Sequence, residues 1–239
     1  VDWNRYDAAL FDLDGVLTPT ADVHMRAWEQ MFTEYLDSRD DSDSIAPYRE
    51  SDYFDYVDGK PRYDGVRSFL ASRGIELPDG DPDDPPSEST VCGLGNRKND
   101  AFNAVLERDG VEPYPGSLAL LDALPANVRL AVVSSSKNAP AVLEAAGIIE
   151  RFPVVVDGQV AAAQGLPGKP APDTFQHAAR QLDVPFEKCV VLEDAHSGVQ
   201  AGAAGGFGLV VGVNRGAGAE ALKASGADVV VDDLQELLP

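Results

Sequence analysis

The chain is poor in cysteine, in basic residues and in long apolar stretches, and each shortage removes a class of function. Its two cysteines, Cys92 and Cys189, stand far apart and form no Cys-x-x-Cys pair, so neither a disulfide framework nor a zinc site is indicated. No run approaches the ~20 apolar residues that span a bilayer. Asp2, Arg5 and Asp7 break up the first apolar segment, unlike a secretory signal. A soluble, cytoplasmic protein that binds no membrane is therefore expected. Lys and Arg number 19 against 40 Asp and Glu, a formal net charge of −21. Nucleic acid or an anionic membrane would need a positive stripe to displace counterions, and this balance argues against both. The same field opposes any anionic ligand, which gives weight to the few cations near the motifs below, while much of the acidity belongs to a solvated surface.

What the chain does have is apolar residue, 44% of 239, enough for one large core or a core with a smaller satellite. From about Pro115 onward, short β-branched runs alternate with Ala-rich helical segments, the pattern of βαβ units around a parallel sheet. Strands are expected at 129–133, 153–156, 189–192, 209–213 and 228–231, with helices at 139–146, 171–182, 197–204 and 217–224. An earlier run, 8–11, has the same character, and the hundred or so residues between it and the others read as an insertion. The predicted organisation is an α/β Rossmannoid core, residues 1–19 and 113–239, with helices on both faces of a parallel sheet. Residues 20–112 form an inserted α-helical cap with helices at 21–36 and 96–108. Two polar breaks, 37–43 and 78–89, are expected as exposed, mobile loops.

The chemistry is concentrated where strands end. Ala8-Ala9-Leu10-Phe11 delivers Asp12-Leu13-Asp14-Gly15, two carboxylates that face one small volume with a glycine to turn the chain behind them. Two converging acids repel unless a cation, a shared proton or a basic partner compensates. Val190-Val191-Leu192 delivers Glu193 and Asp194 in the same way, and with Asp12 and Asp14 these acids make a set of hard oxygen donors suited to Mg²⁺. Val132-Val133 runs into Ser134-Ser135-Ser136-Lys137-Asn138, hydroxyls and backbone donors at a helix start that suit phosphate oxygens. Lys169 sits alone before Pro170-Ala171-Pro172-Asp173, where its bond to Pro170 has the option of being cis.

These four features, in this order, resemble the haloacid-dehalogenase superfamily of phosphotransferases across the whole core. The resemblance implies Asp12 as a nucleophile working through an aspartyl phosphate and Asp14 as general acid and base. It also implies Ser134 and Lys169 holding the phosphoryl group, and Glu193 with Asp194 completing a Mg²⁺ site. The acid at position 14 favours phosphoryl over halide chemistry. Within the insertion, 21–28, 58–62 and 95–100 resemble the β-phosphoglucomutase-like subfamily. That likeness implies His24 and Lys98 beside the acid/base, and Arg62 gripping a distal phosphate with Ser136, Lys137 and Asn138. Pro19, where the family commonly has Asp, Gly65, near whose place a hydroxyl is common, and the longer loops at 37–53 and 78–89 depart from the pattern. The expected function is phosphoryl transfer on a hexose phosphate by a monomer, with a sugar-phosphate phosphatase and a non-catalytic binding module on the same fold as alternatives.

Overall fold

The computed structural model describes Val1–Pro239, the side chain of Ser42 excepted. The chain runs through β1 (Ala8–Phe11), α1 (Thr20–Asp37), α2 (Glu50–Asp52), which passes into a π-helical turn at Tyr53–Val57, α3 (Arg62–Ser72) and α4 (Val91–Asp109). It continues through α5 (Pro115–Ala123), β2 (Arg129–Val133), α6 (Ala139–Ala145), β3 (Val154–Val156), α7 (Gly158–Ala163), α8 (Asp173–Gln181), β4 (Cys189–Glu193), α9 (His196–Ala204), β5 (Leu209–Val213), α10 (Ala219–Ala224) and β6 (Val229–Val231). Two compact units result: Val1–Thr20 with Val111–Pro239, and Ala21–Gly110.

In the first unit all six strands are parallel, in the order β3-β2-β1-β4-β5-β6. β1 lies between β2 and β4, with Phe11 opposite both Val132 and Leu192, and every residue of β1 and β4 is buried. Burial on both faces is why these strands read as unbroken apolar runs rather than as alternation. Phe175, Ala178 and Ala179 of α8 pack on the face that carries Leu10 and Val191. Gly202 of α9 comes so close to Val191 and Val210 that an added Cβ would sit 3.2 and 3.1 Å from them. Leu222 of α10 joins Val199 and Val210 there. Right-handed crossovers leading the other way along the sheet put the connections among β1, β2 and β3 on the opposite face, where Phe11 meets Phe152 edge-on at 6.1 Å.

The second unit is helical around an aromatic core. Trp28, Phe32 and Phe69 stack in series at 5.2 and 3.8 Å, with Met31, Tyr35 and Leu36 continuing the buried stripe of α1. Asp52 is buried and takes a bidentate ion pair from Arg73, whose guanidinium lies 4.4 Å over the Phe69 ring. Helices α3 and α5, which hydrophobic periodicity did not bring out, join the expected ones, and α4 begins at Val91 rather than at 96. The break at 78–89 is exposed, as expected, and is tied by hydrogen bonds to the helix that follows it. Asn96 Nδ2 donates to the carbonyls of Pro82 and Asp84, Arg97 to that of Pro86, and Thr90 Oγ1 to the Asp84 carboxylate at 2.6 Å. Thr90 also caps α4 by accepting from the Gly93 amide.

Candidate active site

The sheet changes its direction of winding between β1 and β4, and in such sheets the crevice at the carboxyl ends of those strands is where ligands bind. The Asp12 amide donates to the Leu192 carbonyl at 2.9 Å, carrying the β1–β4 register one residue past the strand. Asp12 therefore emerges beside the tip of β4. Asp12, Glu193 and Asp194 are all buried, and one carboxylate oxygen from each lies within 4.8 Å of the others.

Lys169 ties three strand ends together. Its Nζ donates to Asp12 Oδ1 at 2.5 Å, to Glu193 Oε1 at 2.6 Å and to the carbonyl of Val133, at the end of β2, at 3.0 Å, which uses all three ammonium protons. The bond to Pro170 is cis. Burial alone would depress the lysine, but the Asp12 and Glu193 carboxylates outweigh it and hold the ammonium above the ordinary lysine range. Burial pushes the Asp12 carboxyl well above the usual carboxylate range. The Glu193 and Asp14 charges push the same way, and only Lys169 pulls it back. The imbalance is plain: three buried carboxylates face one ammonium. A hard divalent cation fits this donor set, since oxygen ligands and uncompensated negative charge are what Mg²⁺ requires.

Glu193 spends both its oxygens on the protein. Oε1 is taken by Lys169, and Oε2 accepts from the Ala195 amide at 2.9 Å. Its carboxylate is pressed into the first turn of α9, where a Cβ at Gly198 would fall 1.7 Å from Oε1. Asp14 is half-buried and stands outside the three-acid cluster, its carboxylate accepting a hydrogen bond from Thr20 Oγ1. Thr20 is in turn bonded to Thr18 at 2.8 Å. Thr20 was missed in the sequence, although a threonine six residues after Asp14, beyond a tight turn, was the signal available. The turn itself is set by Gly15, at φ +84°, whose amide donates to the Thr18 carbonyl.

Ser134 is buried next to Val133, and the segment after it coils in nested turns: Ser134 Oγ accepts from the Ser136 amide, and Ser136 Oγ from the Asn138 amide, each at 3.1 Å. Asn138 takes the N-cap position of α6 without a side-chain cap bond, and the Lys137 carbonyl accepts from Gln159. In the helical unit, Lys98 is buried, donates to His24 Nδ1 and lies 5.1 Å over the rings of Trp28 and Phe102, while His24 stacks on Phe102 at 4.1 Å. Arg62 is not joined to that pair. Its guanidinium reaches the amide oxygens of Asn99, at 2.6 Å, and of Asn96, and burial lowers its pKa. The structure thus brings Asp12, Lys169, Glu193 and Asp194 into one cluster, with Asp14 two residues beyond Asp12, and joins His24 with Lys98.

The haloacid dehalogenase-like hydrolases match residues 6–206, a span that takes in β1, β4 and every residue of the acid–lysine cluster. The chain belongs to that family. Among its relatives, a β-phosphoglucomutase of Mycobacterium tuberculosis is 51% identical over 97% of this chain and 91% of its own. A fructose-1-phosphate phosphatase of Escherichia coli is 30% identical over 87% of this chain and 97% of its own. A crystal structure of β-phosphoglucomutase from Clostridium difficile superposes with a TM-score of 0.75 at 27% identity, covering 97% of this chain and 93% of that one. The fold is that of the family's α/β enzymes, and among the described residues no helix is long and apolar enough to cross a membrane.

Proposed function

We propose that the protein is a Mg²⁺-dependent enzyme that moves a phosphoryl group on a hexose phosphate in the manner of a β-phosphoglucomutase. The observation that carries this reading is the contrast between two carboxylates two residues apart: Asp12 lies in an acid cluster that calls for a cation, and Asp14 is held outside it by Thr20. One is placed to stay ionised beside a metal, the other to exchange a proton. Asp12, Asp194 and the main-chain carbonyl of Asp14 would hold Mg²⁺, with Glu193 contributing by fixing Lys169. When bound, the ion supplies the positive charge that phosphoryl oxygens gather as the ester breaks.

The chain's own residues do the rest. Asp12 attacks phosphorus, the P–O bond to the sugar breaks, and an aspartyl phosphate forms. Asp14 gives its proton to the leaving oxygen and takes one from the incoming hydroxyl on the return step. Ser134 holds the phosphoryl oxygens together with Lys169, whose ammonium exchanges one of its three present acceptors for a phosphoryl oxygen when substrate enters. His24, Lys98 and Arg62, with Ser136, Lys137 and Asn138, are proposed as substrate contacts. Arg62 supports this because its guanidinium donates to the neutral amides of Asn96 and Asn99, with the Asp100 charge acting on it only through space.

The phosphatase reading is favoured by the likeness to the fructose-1-phosphate enzyme. One assay separates the two. With β-glucose 1-phosphate, Mg²⁺ and a priming sugar bisphosphate, a mutase yields glucose 6-phosphate in large excess over free phosphate. Release of free phosphate equal to all the substrate consumed, with no 6-phosphate at early times, would establish the phosphatase. A chelator should abolish either activity reversibly, and full turnover in excess chelator would refute the metal assignment.

A further inference from the structure

Arg215, in the segment between β5 and α10, belongs to none of the motifs, and we infer that it is a positioning residue that aims the Asp14 carboxylate by clamping the carbonyl of Gly15. The inference rests on the reading of Asp14 as acid and base.

The loop that follows Asp14 is pinned on its outer side, carbonyl by carbonyl. Gly15 O accepts from Arg215 Nε at 3.0 Å, Val16 O from Ser117 Oγ at 2.6 Å, and Leu17 O from the Tyr114 amide at 2.9 Å. The Gly15 amide is already committed to the Thr18 carbonyl at 2.8 Å. Arg215 therefore fixes the second of the two peptide groups that flank Gly15. With both held and φ at +84°, the residue just before has little freedom to swing away from Thr20.

Arg215 is itself anchored for this task. Its Nη1 donates to the Asp232 carbonyl at 2.9 Å, and its guanidinium lies 4.0 Å over the Tyr114 ring. Nη2 is buried without an acceptor among the described residues, so the clamp works through Nε and Nη1. Both acceptors are neutral carbonyls on separate segments. A planar fork with fixed donors bridges such a pair, whereas an ammonium on a flexible stem does not hold both in one geometry. The arrangement spends a cation, scarce in this chain, on holding a main-chain turn.

The test separates protonation of the leaving group from everything else. An alkyl phosphate needs a proton on its departing oxygen, whereas p-nitrophenolate leaves without one. Arg215→Met should lower kcat on β-glucose 1-phosphate about 10- to 100-fold, the range expected for a misplaced catalytic group, with KM within about threefold. The burst of p-nitrophenolate from p-nitrophenyl phosphate should stay within about twofold of wild type. Arg215→Lys keeps charge and stem and should show the same split, which guards against a folding defect in the first variant. Asp14→Asn is the control. If it shows the split and the Arg215 variants lose burst and turnover together, or lose neither, the positioning role is overturned while the acid–base reading stands. If Asp14→Asn shows no split, the reading of Asp14 fails and takes this role with it.

Discussion

The backbone of Gly15 lies against the carboxylate of Asp194, so close that a Cβ built on Gly15 would fall 1.9 Å from Asp194 Oδ2. The glycine serves two ends at once: it permits the positive φ of the turn after Asp14 and leaves room for an acid of the proposed metal site. Gly15→Ala should therefore raise the Mg²⁺ concentration for half-maximal activity and cut kcat by about 100-fold, besides costing ~1–2 kcal/mol for the left-handed conformation. A Mg²⁺ titration alongside urea unfolding measures both, and an unchanged Mg²⁺ midpoint would count against a metal at Asp194.

Asp12→Asn should abolish turnover, by about three orders of magnitude or more, and yet make the metal-free protein more stable at pH 7. The sign follows from burial, which raises the folded pKa of Asp12 above its ordinary 3.8. Ionising it in the folded state then costs free energy, a penalty absent below the unfolded pKa and fully present above the folded one. Removing the carboxylate relieves that penalty only on the alkaline side. In chelator the melting temperature should rise by ~2–4 °C for each kcal/mol relieved, and the gain should vanish below pH 3.8. A lower Tm at pH 7 would mean that the Lys169 pairing outweighs the burial cost.

Asp52→Ala leaves the Arg73 guanidinium buried without its carboxylate. Breaking a buried pair from one side costs about 3–5 kcal/mol, so a lower urea midpoint is expected, read through the fluorescence of Trp28 in the same core. Replacing both partners by apolar residues of similar volume should recover much of the loss. If the single variant unfolds like wild type, the pair adds nothing to the helical unit.

Arg62→Ala tests the distal-phosphate contact. Turnover of a hexose phosphate should fall about 10- to 100-fold, as for loss of a charge-assisted bidentate contact, while a small aryl phosphate with no second anchor is spared. Equal losses on both would point to a structural role through Asn96 and Asn99.

The strands were legible because buried parallel strands are unbroken apolar runs: β1, β2 and β5 fall where the runs stand. α3 was not, since Gly65 and Asp64 interrupt it, although Val66, Phe69 and Leu70 carry a buried helical spacing. The loop at 78–89 looks unstructured by composition because its anchors, Asn96 and Arg97, lie in the helix that follows. Asp12, Glu193, Asp194 and Lys169 stand out in sequence because carboxylates and a lone lysine at strand tips break an apolar grammar. Thr20 and Arg215 do not, for a different reason. One supports a carboxylate through a hydroxyl beyond a turn, the other acts on a main-chain carbonyl, and neither interaction leaves a residue pattern.

Sheet order also sets when the site can come into being. Phe11 pairs with Leu192, so the two halves of the acid cluster are separated by roughly 180 residues of chain. At ~5–20 residues per second a ribosome needs on the order of 10–35 s between making β1 and making β4. Through that interval Ala8-Ala9-Leu10-Phe11 is a fully apolar strand whose second neighbour does not yet exist, and Asp12 has neither Lys169 nor Asp194 beside it. The acid–lysine cluster therefore cannot assemble until four of the six strands have been made. Of the strands with two neighbours, β1, which carries Asp12 at its end, waits longest to be enclosed.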